Sequence, residues 1–211
     1  MIFKGYIFTY LYIFLLIGIS SLLRNFANGT LTRKLIHIGV SFCFIIFYIY
    51  FGSSIHIIIP PFTFIILNYI SYKKDLFKGM EEDKNLGTVY YAVSLFIMGL
   101  ITYFNNSYYY AFGISWFIMA FGDGLAPITS KYIKSKKIYT NKTIVGSLTV
   151  LFVSILVMFI FNGIFNLNYS MIDIGIVSLT ACILELIGIK GLDNLYLPLE
   201  VSIIVYLLGV G

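Results

Sequence analysis

Apolar residues occupy long stretches of this chain, separated by short polar breaks. A helix that crosses a bilayer needs roughly 20 mostly apolar residues. Eight stretches approach that length: Tyr6 to Leu23, Leu35 to Phe51, Ile55 to Ile70, Thr88 to Phe104, Tyr108 to Phe121, Ile144 to Phe161, Ile172 to Ile189 and Leu195 to Val210. The pattern predicts an all-α polytopic membrane helical bundle of about eight transmembrane helices, forming a single domain over residues 1–211. Pro60 and Pro61 fall within the third stretch, where two missing backbone donors would kink a helix interior. A re-entrant segment there would leave seven spans. No internal repeat or low-complexity tract interrupts the pattern.

Composition strengthens this reading. Apolar and aromatic residues make up 60% of the 211, charged residues only 11%, and the mean hydropathy of +0.95 lies outside the range of soluble domains. All the Lys and Arg residues except Lys4, which sits on the wrong side, lie in alternate connections. Arg24, Arg33 and Lys34 lie in the first; Lys73, Lys74, Lys78 and Lys84 in the third; Lys131, Lys134, Lys136, Lys137 and Lys142 in the fifth; Lys190 in the seventh. By the positive-inside rule this predicts eight crossings with both termini outside. The formal charge of +5 therefore reads as orientation and headgroup contact rather than nucleic-acid binding. The first stretch imitates a signal peptide, but it reaches Leu23 without a small-residue cleavage pattern and is read as a span. Cys43 and Cys182 lie inside apolar runs and read as buried thiols. The oligomeric state stays open, a homo-oligomer included.

Carboxylates within or beside spans are costly and mark candidate functional positions. Taking about 1.5 Å per residue, Asp123 lies about 22 Å beyond Tyr108, close to the cytoplasmic interface. Glu185, Asp193 and Glu200 fall at the same level, with Asn194 among them. Asp173, at the other end, reads as a helix N-terminal carboxylate. The segment Gly122-Asp123-Gly124 reads either as an acid flanked by glycines that let a ligand approach, or as a helix-end turn with a solvated Asp. Lys142, Thr143, Gly146 and Ser147 stand where span six begins, and helix N-termini bind phosphate through free N–H groups. Arg33 and His37 are one turn apart at the start of span two, beside Lys34, suited to phosphate or to interfacial anchoring. Gly87 and Thr88 open span four on the same side.

Taken in order, these stretches resemble the polyprenol kinase family, which includes phytol kinase, dolichol kinase and CTP-dependent diacylglycerol kinase. The pieces are Arg33-Lys-Leu-Ile-His37, Gly87-Thr-Val-Tyr-Tyr91, Gly122-Asp-Gly-Leu-Ala126, Lys142-Thr-Ile-Val-Gly-Ser147, and Glu185 with Asp193-Asn-Leu-Tyr-Leu-Pro198. Phytol kinase is the nearest likeness. Two positions depart from the family pattern: Val145, where Glu is frequent, and Ser130, where Gly is frequent. The resemblance implies transfer of a γ-phosphoryl group from CTP or ATP to the hydroxyl of a long-chain membrane lipid alcohol at the cytoplasmic face. It further implies that Asp123 and Asp193 hold Mg²⁺ or orient the hydroxyl. Lys142 and the Thr143 to Ser147 backbone would hold phosphates, Arg33, Lys34, His37, Gly87, Thr88, Gly122 and Gly124 would complete the nucleotide pocket, and Glu185, Asn194 and Glu200 would support it. Diacylglycerol kinase or a membrane cytidylyltransferase is the alternative enzyme, and a small-solute transporter or scaffold the alternative class; transporters place their sites nearer the midplane.

Overall fold

The computed structural model describes residues 1–23, 29–74, 86–139, 142–189 and 191–209. Arg24, Lys78, Lys84 and Lys190, on which part of the charge pattern rests, lie outside the described residues. The helices are α1 (Ile2–Leu23), α2 (Gly29–Ser41), α3 (Cys43–Tyr50), α4 (Ile59–Lys74), α5 (Gly87–Phe104), α6 (Tyr109–Tyr132), α7 (Ile144–Phe165), α8 (Met171–Leu186) and α9 (Asp193–Gly209). A short antiparallel pair, β1 (Lys137–Tyr139) and β2 (Lys142–Thr143), joins α6 to α7. The protein is an all-α membrane bundle. Among the described residues six segments are long and apolar enough to cross a bilayer: 2–23, 31–50, 55–74, 87–104, 106–132 and 144–165. Helices α8 and α9 stand where the seventh and eighth spans were predicted, but their 16 and 17 residues make them shorter. Predicted span two is α2 and α3, broken at Phe42.

Helix α6 is the central post, buried along its length from Tyr109 to Ala126. Its aromatic side chains pack with those of α3 and α7: Phe112 stacks on Trp116 at 5.3 Å, and Phe44 meets Phe112 and Phe161. Large apolar side chains such as Phe14, Phe104, Phe152 and Ile172 point outward and are exposed, as a surface facing lipid requires. Several buried hydroxyls bond carbonyls within their own helices, as Thr9 does to Gly5 and Ser154 to Val150, which satisfies those groups away from water.

Two expectations change. Pro60 and Pro61 are not in a helix interior: a 3-10 turn at Ile55–Ile58 comes first, and the prolines occupy the first turn of α4, where an N–H has no intrahelical acceptor and its absence costs little. The Gly-Asp-Gly segment is neither loop nor helix end, since α6 continues through it to Tyr132. A glycine costs a helix about 1 kcal/mol relative to alanine. Packing offsets that cost, because a Cβ on Gly122 would stand 3.3 Å from Val150 of α7, and one on Gly124 2.5 Å from Ile38 of α2. Asp173 behaves as expected, forming a capping box with Ser170 at the start of α8.

Candidate functional site

Polar residues from separate helices converge at the end of the bundle where α6 leaves the core. Lys34 of α2 is buried, and its Nζ lies 2.5 Å from Oδ2 of Asp123 on α6. One turn further along α2, His37 Nε2 is 3.4 Å from the same oxygen but is not aligned to bond it, which leaves that nitrogen buried without a partner. The ring is held by Tyr91, whose centroid is 4.5 Å away. Tyr91 donates its hydroxyl proton to the His37 carbonyl at 3.1 Å and accepts from Trp116 Nε1 at 2.7 Å.

A second cluster adjoins the first. Lys142, between β1 and α7, forms an ion pair with Glu185 of α8, and its Nζ lies 3.6 Å from Asp193 Oδ2 at the start of α9. Burial opposes the charge on Lys142, but Glu185, with Asp193 and Asp123, outweighs it and raises the pKa above the ordinary lysine value. The turn from α8 to α9 places Asp193. Gly191 there has φ 84°, a left-handed conformation open to glycine, and a Cβ on Gly188 would lie 2.9 Å from the Asp193 side chain. Asn194 donates to the Gly87 carbonyl at 3.2 Å, while its Oδ1 and Glu185 Oε2 are buried without partners among the described residues.

These groups border one end of a cavity of about 510 Å³. Its polar wall holds Arg33, Lys34, His37, Gly87, Thr88, Asp123, Lys142, Asp193 and Asn194; its apolar wall includes Ile13, Ile17, Val40, Phe47, Phe64, Leu95 and Trp116. Arg33, unlike the two lysines, forms no ion pair among the described residues.

Other predicted residues lie elsewhere. The start of α7 is occupied by the protein itself: Ile144 N–H donates to the Lys136 carbonyl, Val145 N–H to Ser135 Oγ and Gly146 N–H to Thr143 Oγ1, each at 3.1 Å. The strand pair folds back over the helix end and Thr143 caps it, so within the Thr143 to Ser147 stretch expected for phosphate the amides of Ile144, Val145 and Gly146 are not free. Ser130 takes part, bonding Thr143 Oγ1 at 2.6 Å, and Gly146 gives the room for it, since a Cβ would lie 2.8 Å from Ser130 Oγ. Ser147 is buried with its carbonyl accepting from Cys182 Sγ. Gly122 and Gly124 pack helices rather than opening a ligand path. Glu200 is exposed and outside the cluster.

Sequence reasoning gave no role to two prolines. Pro127 in α6 and Pro198 in α9 each stand four residues after a site residue, Asp123 and Asn194. A proline has no N–H, so the carbonyl four residues earlier loses its helical donor. The carbonyls of Asp123 and Asn194 therefore lack the usual helical donor four residues on. The D-x3-P and N-x3-P spacing is a legible signal. Tyr91, inside a quoted motif, and Trp116 were likewise missed as the groups that orient His37.

Comparison with protein-family models, with curated proteins and with solved structures finds no match to this chain.

Proposed function

We propose that this protein is a lipid alcohol kinase, transferring the γ-phosphoryl group of CTP or another nucleoside triphosphate to the hydroxyl of a long-chain isoprenoid alcohol. The observation that carries the reading is the single cavity joining a lysine–aspartate cluster to an apolar, aromatic wall. Phosphoryl transfer asks of a protein mainly positioning and neutralisation of phosphate charge. Arg33, Lys34 and Lys142 border the polar end and suit phosphates; the apolar wall suits a hydrocarbon chain, as ligand pockets of this size do.

The hydroxyl oxygen attacks the γ-phosphorus, the bond from that phosphorus to the β–γ bridging oxygen breaks, and the nucleoside diphosphate departs. Asp123 is gripped by Lys34, whereas Asp193 stands further from its lysine, so Asp193 is assigned to receive the hydroxyl proton. The oxygen donors here fit Mg²⁺: two aspartates and the Oδ1 of Asn194, which has no hydrogen-bond partner among the described residues. Among the described residues no three metal-ligating side chains form a cage, which suits an ion held by one or two carboxylates together with substrate phosphates. When bound, Mg²⁺ would neutralise phosphate charge. The proposed orientation, from the loop charges, turns this end to the cytoplasm, where nucleotide is soluble.

The test is phosphate transfer by purified protein with Mg²⁺, offering labelled CTP and ATP against phytol, geranylgeraniol, a polyprenol and diacylglycerol. A phosphorylated isoprenoid alcohol is expected, and its loss in folded Asp123→Asn and Asp193→Asn proteins. Phosphorylated diacylglycerol would move the assignment to that lipid; no transfer to any alcohol, or full activity of both variants, would overturn it.

A further inference from the structure

The cavity lies beneath a helix that is fastened unevenly. On one side α4 is joined to α5 near both ends, by Phe62 against Phe96 at 5.7 Å and by Asn68 Nδ2 donating to the Thr88 carbonyl at 2.9 Å. On the other side, among the described residues, the ties to α1 from α4 and from the turn before it sit at the end away from the site. Tyr6 bonds His56 Nδ1 at 2.7 Å, Tyr10 bonds Thr63 Oγ1 at 2.9 Å, and the Tyr10 and Phe64 rings are 6.0 Å apart. Beyond Tyr10 the hydrogen bonds of α1 run to α2 instead: Tyr12 donates to the Gly39 carbonyl and Ser20 to that of Thr32.

The cavity reaches the seam between α1 and α4 beyond these bonds. Ile13 and Ile17 of α1 border it from one side, and Phe64, Asn68 and Ser71 of α4 from the other. The outer faces of both helices here, at Phe14, Leu67 and Ile70, are apolar and exposed. A polar solute gains nothing from such a rim, whereas a hydrocarbon chain already in the bilayer crosses it without desolvation cost. We propose that the seam between Ile13–Ile17 of α1 and Phe64–Ser71 of α4 is a lateral entrance, through which the chain of a membrane lipid alcohol slides from the bilayer into the cavity. The Tyr6–His56 and Tyr10–Thr63 bonds are the fixed end from which it opens. The occupant's chemistry rests on the kinase reading; the path does not.

The chain has one tryptophan, Trp116, which is 1% exposed yet borders the cavity, so it reports on arrivals without any chemistry. In nanodiscs, a long-chain alcohol brominated along its chain should quench Trp116 saturably. Ile17→Phe and Ser71→Phe, which narrow the seam, should slow the quenching about tenfold or more in stopped flow, while Leu179→Phe on the lipid-facing side of α8 leaves it unchanged. Absence of quenching in the parent protein, or equal rates in all three variants, overturns the entrance. Because no nucleotide is present, quenching gated at the seam in a protein that never transfers phosphate would refute the kinase assignment and leave the entrance standing.

Discussion

Replacing Lys142 by Met separates two roles for that residue. Glu185 is 3% exposed, and among the described residues its Oε2 has no hydrogen-bond partner and Lys142 is its one ion-pair partner. Breaking a buried ion pair by removing one member costs about 3–5 kcal/mol, because the remaining charge is left buried. For a chain of this size each kcal/mol moves the unfolding midpoint by about 2–4 °C, giving a fall of about 6–20 °C. The double variant Lys142→Met with Glu185→Gln removes the orphaned charge and should recover most of that loss without restoring phosphate transfer. Thermal unfolding in detergent, beside the transfer assay, reads both. The pH dependence follows from the raised pKa of Lys142. A raised lysine pKa contributes stability that is fully present below the unfolded value, about 10.4, and is lost as pH rises through the folded value. The pair is thus intact at neutral pH, and the gap between parent and Lys142→Met should close only in strongly alkaline buffer. A double variant no more stable than Lys142→Met would refute the reasoning.

Arg33→Ala removes a cation with no ion-pair partner among the described residues, so the unfolding midpoint should hardly move while the KM for nucleotide rises about tenfold, the worth of one charged hydrogen bond; an unchanged KM would exclude Arg33 from the phosphate site. Gly124→Ala drives a Cβ against Ile38 and should cost about 1–3 kcal/mol, much of it regained in Gly124→Ala with Ile38→Ala; lack of rescue in thermal unfolding would show that the strain lies elsewhere. Pro127→Ala gives the Asp123 carbonyl its helical donor again, so stability should rise by about 0.5–1.5 kcal/mol while transfer falls severalfold; unchanged transfer would deny that carbonyl a role.

Most of the bundle was legible because the cost of a polar group in hydrocarbon is a local property of each stretch. The runs from Tyr6 and Ile144 therefore became α1 and α7 within a few residues. What the sequence hid is non-local. Lys34 and Asp123 are separated by 89 residues, and nothing in either segment says that α2 lies on α6. The helix runs on through Gly122 and Gly124 because Val150 and Ile38 fill the space their missing side chains leave, a fact carried by other helices. Asp193 and Glu200 are seven residues apart, about two helical turns, and so share a face. Only Asp193 is covered, by the turn at Gly188. The amides of α7 were misread for a related reason: a helix start attracts anions only when its own cap and the preceding strands leave it open.

The pairing within the cluster bears on how a buried site can await a highly charged substrate. An unpaired lysine or carboxylate at this depth would cost several kcal/mol. Lys34 with Asp123, and Lys142 with Glu185 and Asp193, avoid that cost while both reactants are absent. On the kinase reading, arriving phosphates take over the lysines, and the aspartates they release are the groups required to accept the hydroxyl proton and to balance the added cation charge. Charge is then exchanged between partners already on site rather than drawn from water. Such an arrangement needs acids and bases in near-equal number at one end of the bundle, with Glu185 keeping hold of Lys142 throughout, and the Lys142 double variant probes that hold directly.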